Sequence, residues 1–167
     1  MFYRRHLLAT VSFTALTALT ALSGCATMQS PVSVADTISA DPQLSTLNGL
    51  IVQAGLVDTL KGAGPFTVFA PNNAAFAKVS AKTMAALGAD PAMLKSVLTF
   101  HVVPGKTLAA DVKNGNVKTV QGANLALSKA GTFVTVEDAV VQTADVIASN
   151  GVVHVIDAVL IPPAPAR

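Results

Sequence analysis

Cysteine occurs once in the 167 residues, tyrosine once and tryptophan not at all. A single cysteine cannot form an intramolecular disulfide, so the apolar core has to hold the fold, and a metal cluster built on thiolates is excluded. The tyrosine is Tyr3, so a stacking platform for sugars or single-stranded bases further along would have to use phenylalanine. Charge is sparse, at 12% of residues. There are 11 Lys+Arg and 9 Asp+Glu residues, and removing Arg4 and Arg5 leaves 9 against 9. No cluster of lysine or arginine remains, so the electrostatic footprint of a nucleic-acid binder is missing. What the chain has in quantity is apolar residues, 51% of the total, enough to build a core or to line a cavity for an apolar ligand.

The N-terminus reads as an export signal. Arg4 and Arg5 precede a largely apolar run from Leu7 to Leu22, about 16 residues against the roughly 20 needed to span a bilayer. Leu22-Ser23-Gly24-Cys25 resembles the bacterial lipobox, in which cleavage falls before the cysteine and acyl chains are added to it. The resemblance implies a lipoprotein signal peptide over residues 1–24, lipidation at Cys25 and a tether over residues 25–33. Ala26 and Thr27 follow with no aspartate, which by resemblance to enterobacterial sorting favours the outer membrane. Tyr3-Arg4-Arg5-His6-Leu7-Leu8 fits a twin-arginine pattern poorly, and the export route stays open.

Residues 34–162 read as one domain, without repeat or linker, followed by a proline-rich tail at 163–167. Asp41-Pro42 and Asp90-Pro91 are helix starts, with Asp as N-cap and Pro in the first turn. Leu44, Leu47, Leu50, Ile51 and Ala54 follow the first at helical spacing, and Gly55 offers a left-handed stop. Met93, Leu94, Val97 and Leu98 form the expected buried face of the second. Ala74 to Leu87 is Ala-rich and helical, interrupted near Ser80. The second half changes period: short strands are expected at 117–120, 124–127 and 132–136, with a hairpin at Glu137-Asp138. Ser149-Asn150-Gly151 is the strongest hairpin signal, because Asn-Gly suits turns with positive φ. Gly151 to Ile161 is apolar on both alternating faces and reads as a buried central strand.

The stretch GPFTVFAPNNAAFAKV, residues 64–79, has the strand–turn–helix layout of a catalytic elbow or phosphate loop. The turn carries no serine or cysteine, and its glycines precede the strand, so neither chemistry fits. A structural corner does: Pro71 ends the strand, Asn72 caps the helix, worth about 1 kcal/mol, and Phe76 points into the core. His101, His154, Asp145 and Asp157 could in principle surround a metal. His154 and Asp157 are three apart on the expected strand, however, and so face opposite ways, and no helical His pair exists. Each histidine is expected to be buried against a backbone or hydroxyl partner, and Asp157 to accept local hydrogen bonds.

Three blocks carry a resemblance to a known family. They are Phe66-Thr67-Val68-Phe69-Ala70-Pro71-Asn72-Asn73-Ala74-Ala75-Phe76, Leu98-Thr99-Phe100-His101-Val102-Val103-Pro104-Gly105, and the run from Ala144 through Asp145, Asn150, Gly151 and His154 to Asp157. In order and spacing they resemble a fasciclin domain. The resemblance implies an α+β fold, a β-wedge of two sheets packed beside a bundle of short helices. It also implies a non-catalytic adhesion or interaction module of the cell envelope that binds protein or glycan partners; the lack of ligand spacing adds the expectation of no metal or cofactor, and the lipobox that the membrane is touched only through lipid. The family-conserved positions are Phe69, Pro71, Asn72, Phe76, His101, Pro104, Asp145, Asn150, Gly151, His154 and Asp157. Three departures stand out: Asn72 and Asn73 replace Thr and an acid, Phe100 replaces the Tyr before His, and Val146 replaces Ile. The first removes an acid matched to the helix dipole, and the second removes a hydroxyl from a pair given a binding role in animal adhesion proteins. An apolar small-ligand carrier and a metal-dependent hydrolase are the competing readings.

The lipobox gives the first prediction. Cys25→Ser should abolish fatty-acid incorporation and processing at this site, read by metabolic labelling. A Cys25→Ser protein that still takes label would overturn the anchor.

Overall fold

The computed structural model describes residues 32–162. The expected signal peptide, Cys25 and the tail from Pro163 lie outside the described residues.

Polar caps set where each short helix begins. Ser33 and Asp36 form a reciprocal capping box on α1 (Val34–Ala40). Asp41 caps a 3-10 turn, Pro42–Leu44, which leads into α2 (Ser45–Gln53), so the expected helix opens with a tighter turn. Gly55, at φ 66°, stops it in the left-handed region. After α3 (Val57–Lys61), the Ala-rich stretch divides into α4 (Asn73–Lys78) and α5 (Ala81–Ala89), because Ser80 caps the second through Thr83 N–H. Asp90 accepts from Ala92 and Met93 at the start of α6 (Pro91–Phe100). Leu94, Val97 and Leu98 of α6 are buried as expected, but Met93 is 37% exposed, since the first turn projects beyond the packed stripe.

Among the described residues seven strands follow the order β2-β1-β7-β6-β5-β4-β3. They are β1 (Phe66–Pro71), β2 (Val102–Pro104), β3 (Gly115–Lys118), β4 (Asn124–Ala130), β5 (Phe133–Val136), β6 (Ala139–Ala148) and β7 (Gly151–Ile156). All neighbours are antiparallel except β1 and β7, which pair in parallel from Phe66↔Gly151 to Pro71↔Ile156. The α+β architecture is the expected one, and the two sheets of the wedge are joined along β6. The first part of β6 pairs with β5 and the rest with β7, with register shifts between Val141 and Thr143 and between Thr143 and Val146. The free ends approach each other where Val120 N–H donates to Val102 O at 2.8 Å.

Three strand expectations need correction. β3 ends at Lys118, because Thr119 turns back to bond Ala123 O through both its N–H and its hydroxyl. β7 is buried throughout but stops at Ile156 rather than Ile161, since its parallel partner ends at Pro71. The β6–β7 hairpin forms at Ser149-Asn150, yet neither residue takes a positive φ. The sequence serves contacts there instead. Asn150 Oδ1 accepts Val34 N–H at 2.8 Å, while Nδ2 donates to Leu60 O at 2.7 Å and Gly62 O at 2.9 Å. A Cβ at Gly151 would lie 2.1 Å from Phe66 O.

β1 and β7 separate two cores. On the helix side, Val68, Ala70, Val153 and Val155 meet Val34, Ile38, Leu47, Leu94 and Phe76. Between the sheets, Phe69 and Ile156 meet Phe100, Leu125, Leu127, Val134, Val136 and Leu160. Burial on both faces is what a parallel central strand requires.

Asn150→Ala would remove three hydrogen bonds that tie the hairpin to α1 and α3. It should cost about 3 kcal/mol, at roughly 1 kcal/mol per bond, in urea denaturation. Gly151→Ala should be at least as damaging, because backbone blocks the new methyl; a neutral Gly151→Ala would refute that packing.

Candidate functional site

The strand–helix corner is built from backbone capping. Pro71 is buried at the end of β1, and Asn72 N–H donates to Ile156 O at 3.1 Å. Asn72 Oδ1 accepts Ala75 N–H at 2.7 Å and so caps α4, while Nδ2 donates to Gln142 Oε1 on β6 at 3.2 Å. The neighbouring Asn73 does something the local pattern hides. Its Oδ1 accepts Thr46 N–H at 3.0 Å, supplying the N-terminal bond that α2 lacks from its own N-cap, Leu44, and its Nδ2 donates to Pro42 O at 3.0 Å. An amide provides both the acceptor and the donor, which a carboxylate could not. No spacing rule reveals this contact, because the partners lie 27 and 31 residues apart.

The two histidines among the described residues do not converge. His101 is 2% exposed at the C-cap of α6; its Nδ1 pairs with Val97 O at 2.8 Å and its Nε2 accepts Leu160 N–H at 3.0 Å. His154, also 2% exposed, stacks on Phe69 with ring centroids 5.5 Å apart. Its Nε2 pairs with Thr107 O at 2.9 Å, and its Nδ1 accepts Asp145 N–H at 3.2 Å. These partners fix opposite neutral tautomers, Nδ1–H in His101 and Nε2–H in His154. All four ring nitrogens are therefore committed to backbone groups. Among the described residues, no three His, Cys, Asp or Glu side chains lie where they could share a metal ion.

The carboxylates are committed as well. Asp157 sits just past β7, not inside it; its Oδ1 accepts Val140 N–H at 2.8 Å and its Oδ2 lies 3.4 Å from Lys78 Nζ. The Val140 amide, with Lys78 beside it, holds the Asp157 carboxyl below its usual range against a smaller opposing effect of burial. Asp145, at φ 58° beside the β6 irregularity, aims its N–H at His154 and its Oδ1 at Ala109 N–H, 2.7 Å away.

His154 and Asp145 share one client, the irregular segment after β2. Pro104 is exposed at the end of β2, and Gly105 follows at φ 104°. Thr67, fully buried on β1, donates to Gly105 O at 2.7 Å and accepts Thr107 N–H at 2.9 Å. His154 takes Thr107 O, Asp145 takes Ala109 N–H, and Lys129 Nζ takes Ala110 O at 2.7 Å. Side chains from β1, β7, β6 and β4 thus pin successive backbone groups of one surface loop. Thr67 and Lys129 were not legible as loop anchors; a buried threonine in an otherwise apolar strand was the signal available.

A family model for the Fasciclin domain matches residues 42–162. The chain belongs to the fasciclin-domain family. Protein sll1483 of Synechocystis sp. is 42% identical over 140 residues, covering 83% of this chain and 78% of that protein. The Immunogenic protein MPB70 of Mycobacterium bovis is 43% identical over 141 residues, covering 81% and 71%. The Cell surface glycolipoprotein MPB83 of the same species is 40% identical, covering 81% of this chain and 62% of its own length. The solved FAS1 domain pair of the insect cell adhesion molecule Fasciclin I superposes with a TM-score of 0.63 at 19% identity, over 78% of this chain and 51% of that one; the likeness is one of fold. In this fasciclin domain Phe100, which stands where a Tyr is usual, is 2% exposed in the inter-sheet core, and His101 beside it is equally enclosed. The pair is a core element here.

Burial pushes His101 down to about 4 from an ordinary 6.5, against a smaller opposing effect of the Val97 carbonyl. Above pH 6.5 the ring is neutral in folded and unfolded chains alike. Below it the unfolded chain binds a proton that the folded one refuses, so stability should fall between about pH 6.5 and pH 4, by on the order of 3 kcal/mol. Asp36 and Asp157, both lowered, act in a more acidic window, losing their contribution below the usual carboxylate range near 3.8. Urea melts across pH should show the upper window, and His101→Gln should flatten it. An unchanged slope in His101→Gln would refute the assignment.

Proposed function

We propose that this chain is a non-catalytic interaction module of the cell envelope, held to the membrane by lipid on Cys25 and binding a protein or glycan partner through exposed loops. The observation that carries this reading is where the polar side chains of the three blocks are spent. Asn72, His101, Asp145, Asn150, His154 and Asp157 all bond to backbone groups of the domain. Catalysis needs such groups to converge on a substrate; here they hold loops in shape, as a scaffold for display does. The names of MPB83 as a cell surface glycolipoprotein and of Fasciclin I as a cell adhesion molecule support the same direction. Among the described residues no helix is long and apolar enough to cross a membrane, and acyl chains on Cys25 would supply the attachment, most simply at the outer membrane.

The two competing readings gain little. A metal-dependent hydrolase would need imidazole nitrogens that are already committed. A carrier needs a cavity of roughly 300–1,000 Å³, whereas the apolar space between helices and sheet measures about 40 Å³.

Cells displaying the full chain should adhere to immobilised envelope or matrix proteins, or to surface glycans, more than cells carrying Cys25→Ser, which would shed it. Adhesion and the melting temperature should both survive a chelator. A stoichiometric metal in the purified protein, with a large loss of stability on its removal, would overturn the reading.

A further inference from the structure

The cavity of about 40 Å³ lies on the helix side of the sheet, walled by Leu47, Ile51, Leu60, Val68 and Leu98. Its more exposed lining residues, Thr59, Thr99 and Val120, mark the mouth, and Val120 is 45% exposed. Of the polar groups around it, the Thr99 hydroxyl bonds back to Lys95 O and Ser96 O and both His101 nitrogens are used, while Thr59 stands exposed at the mouth. Whatever enters meets an almost wholly hydrocarbon wall. At about 10–15 Å³ per water-sized sphere, the space holds about three or four heavy atoms, the size of the end of one branched aliphatic side chain.

Two exposed lysines lie close in the chain to residues of the mouth. Lys95 stands one helical turn before Thr99, and Lys118 two residues before Val120. Gln121 fixes the two segments together, donating from Nε2 to Ser96 Oγ at 3.2 Å and from its backbone to Thr99 O at 3.3 Å. Among the described residues the lysines paired with carboxylates are Lys61 and Lys78, so the cations at 95 and 118 are uncompensated. Asp58 adjoins Thr59, on the α3 side.

We infer that this cavity is a socket for a single leucine or isoleucine side chain presented on an acidic segment of a protein partner. The inference rests on the interaction-module reading and gives it a contact point. The aliphatic group fills the void, and carboxylates beside it meet Lys95 and Lys118. Enclosed apolar anchors of this kind dominate interface energetics, and rim charges tune encounter and selectivity.

The probe is a blocked pentapeptide, Asp-Glu-Leu-Asp-Glu, titrated into the isotope-labelled full chain. Amide shifts should concentrate at Val68, Leu98 and Val102. A Leu→Ala peptide or a Lys-Lys-Leu-Lys-Lys peptide should bind at least tenfold more weakly. Val120→Phe plugs the mouth from an exposed position and should abolish the shifts with the fold intact. Lys95→Glu and Lys118→Glu should each weaken binding about three- to tenfold, more at low salt. Equal binding of the basic peptide, or shifts that survive Val120→Phe, overturns the socket. If Val120→Phe cells still adhere and the peptide does not bind, the socket fails and the adhesion reading stands; if the peptide binds and the displayed chain adheres to nothing, the adhesion reading fails.

Discussion

A backbone amide or carbonyl that leaves water must find a partner, and this chain is full of short elements and irregular joints that offer few. The domain meets the requirement with a small set of polar side chains that reach across large distances in sequence. Asn150 connects residues 90 and 116 positions away, and His101 reaches Leu160, 59 positions on. Asn73, His154 and Thr67 do the same between other pairs of segments. No buried side-chain polar atom among the described residues is left without a partner. The two cores fill the space around the joints that these bonds hold.

The same economy explains why the conserved-looking blocks resemble an active site and behave as something else. Asparagine, histidine and aspartate are the residues of catalysis because each can donate or accept in a defined direction. Direction is also what a loop needs when its backbone must be matched group by group. Phe69 stacked on His154 keeps the imidazole plane fixed, and the ring's two nitrogens then set the distance between β6 and the loop after β2.

Much of the fold could be read from local chemistry. Asp41-Pro42, Asp90-Pro91, Gly55 and Asn72 act where their capping preferences place them. The apolar alternation from Gly151 correctly marked a strand buried on both sides. What stayed hidden was long-range. The end of β7 depends on where β1 stops, and Asn150 serves three distant backbone groups where a turn preference was expected of it. Asn73 read as a weakened version of an acidic position, because its real partners, Thr46 and Pro42, are invisible to any window around it. The candidate site was legible in its residue types and not in its geometry, since the pairing of His154 with Thr107 and Asp145 exists only once β7 is in the sheet.

The parallel pairing of β1 with β7 joins residues 66–71 to residues 151–156. Of the two strands that face both cores, β7 is the later in the chain and the last among the described residues. Until it arrives, β1 has only the three residues of β2 beside it, and β6 lacks its inner neighbour. Contacts so far apart in sequence close slowly. Both cores therefore depend on one pairing between distant parts of the chain.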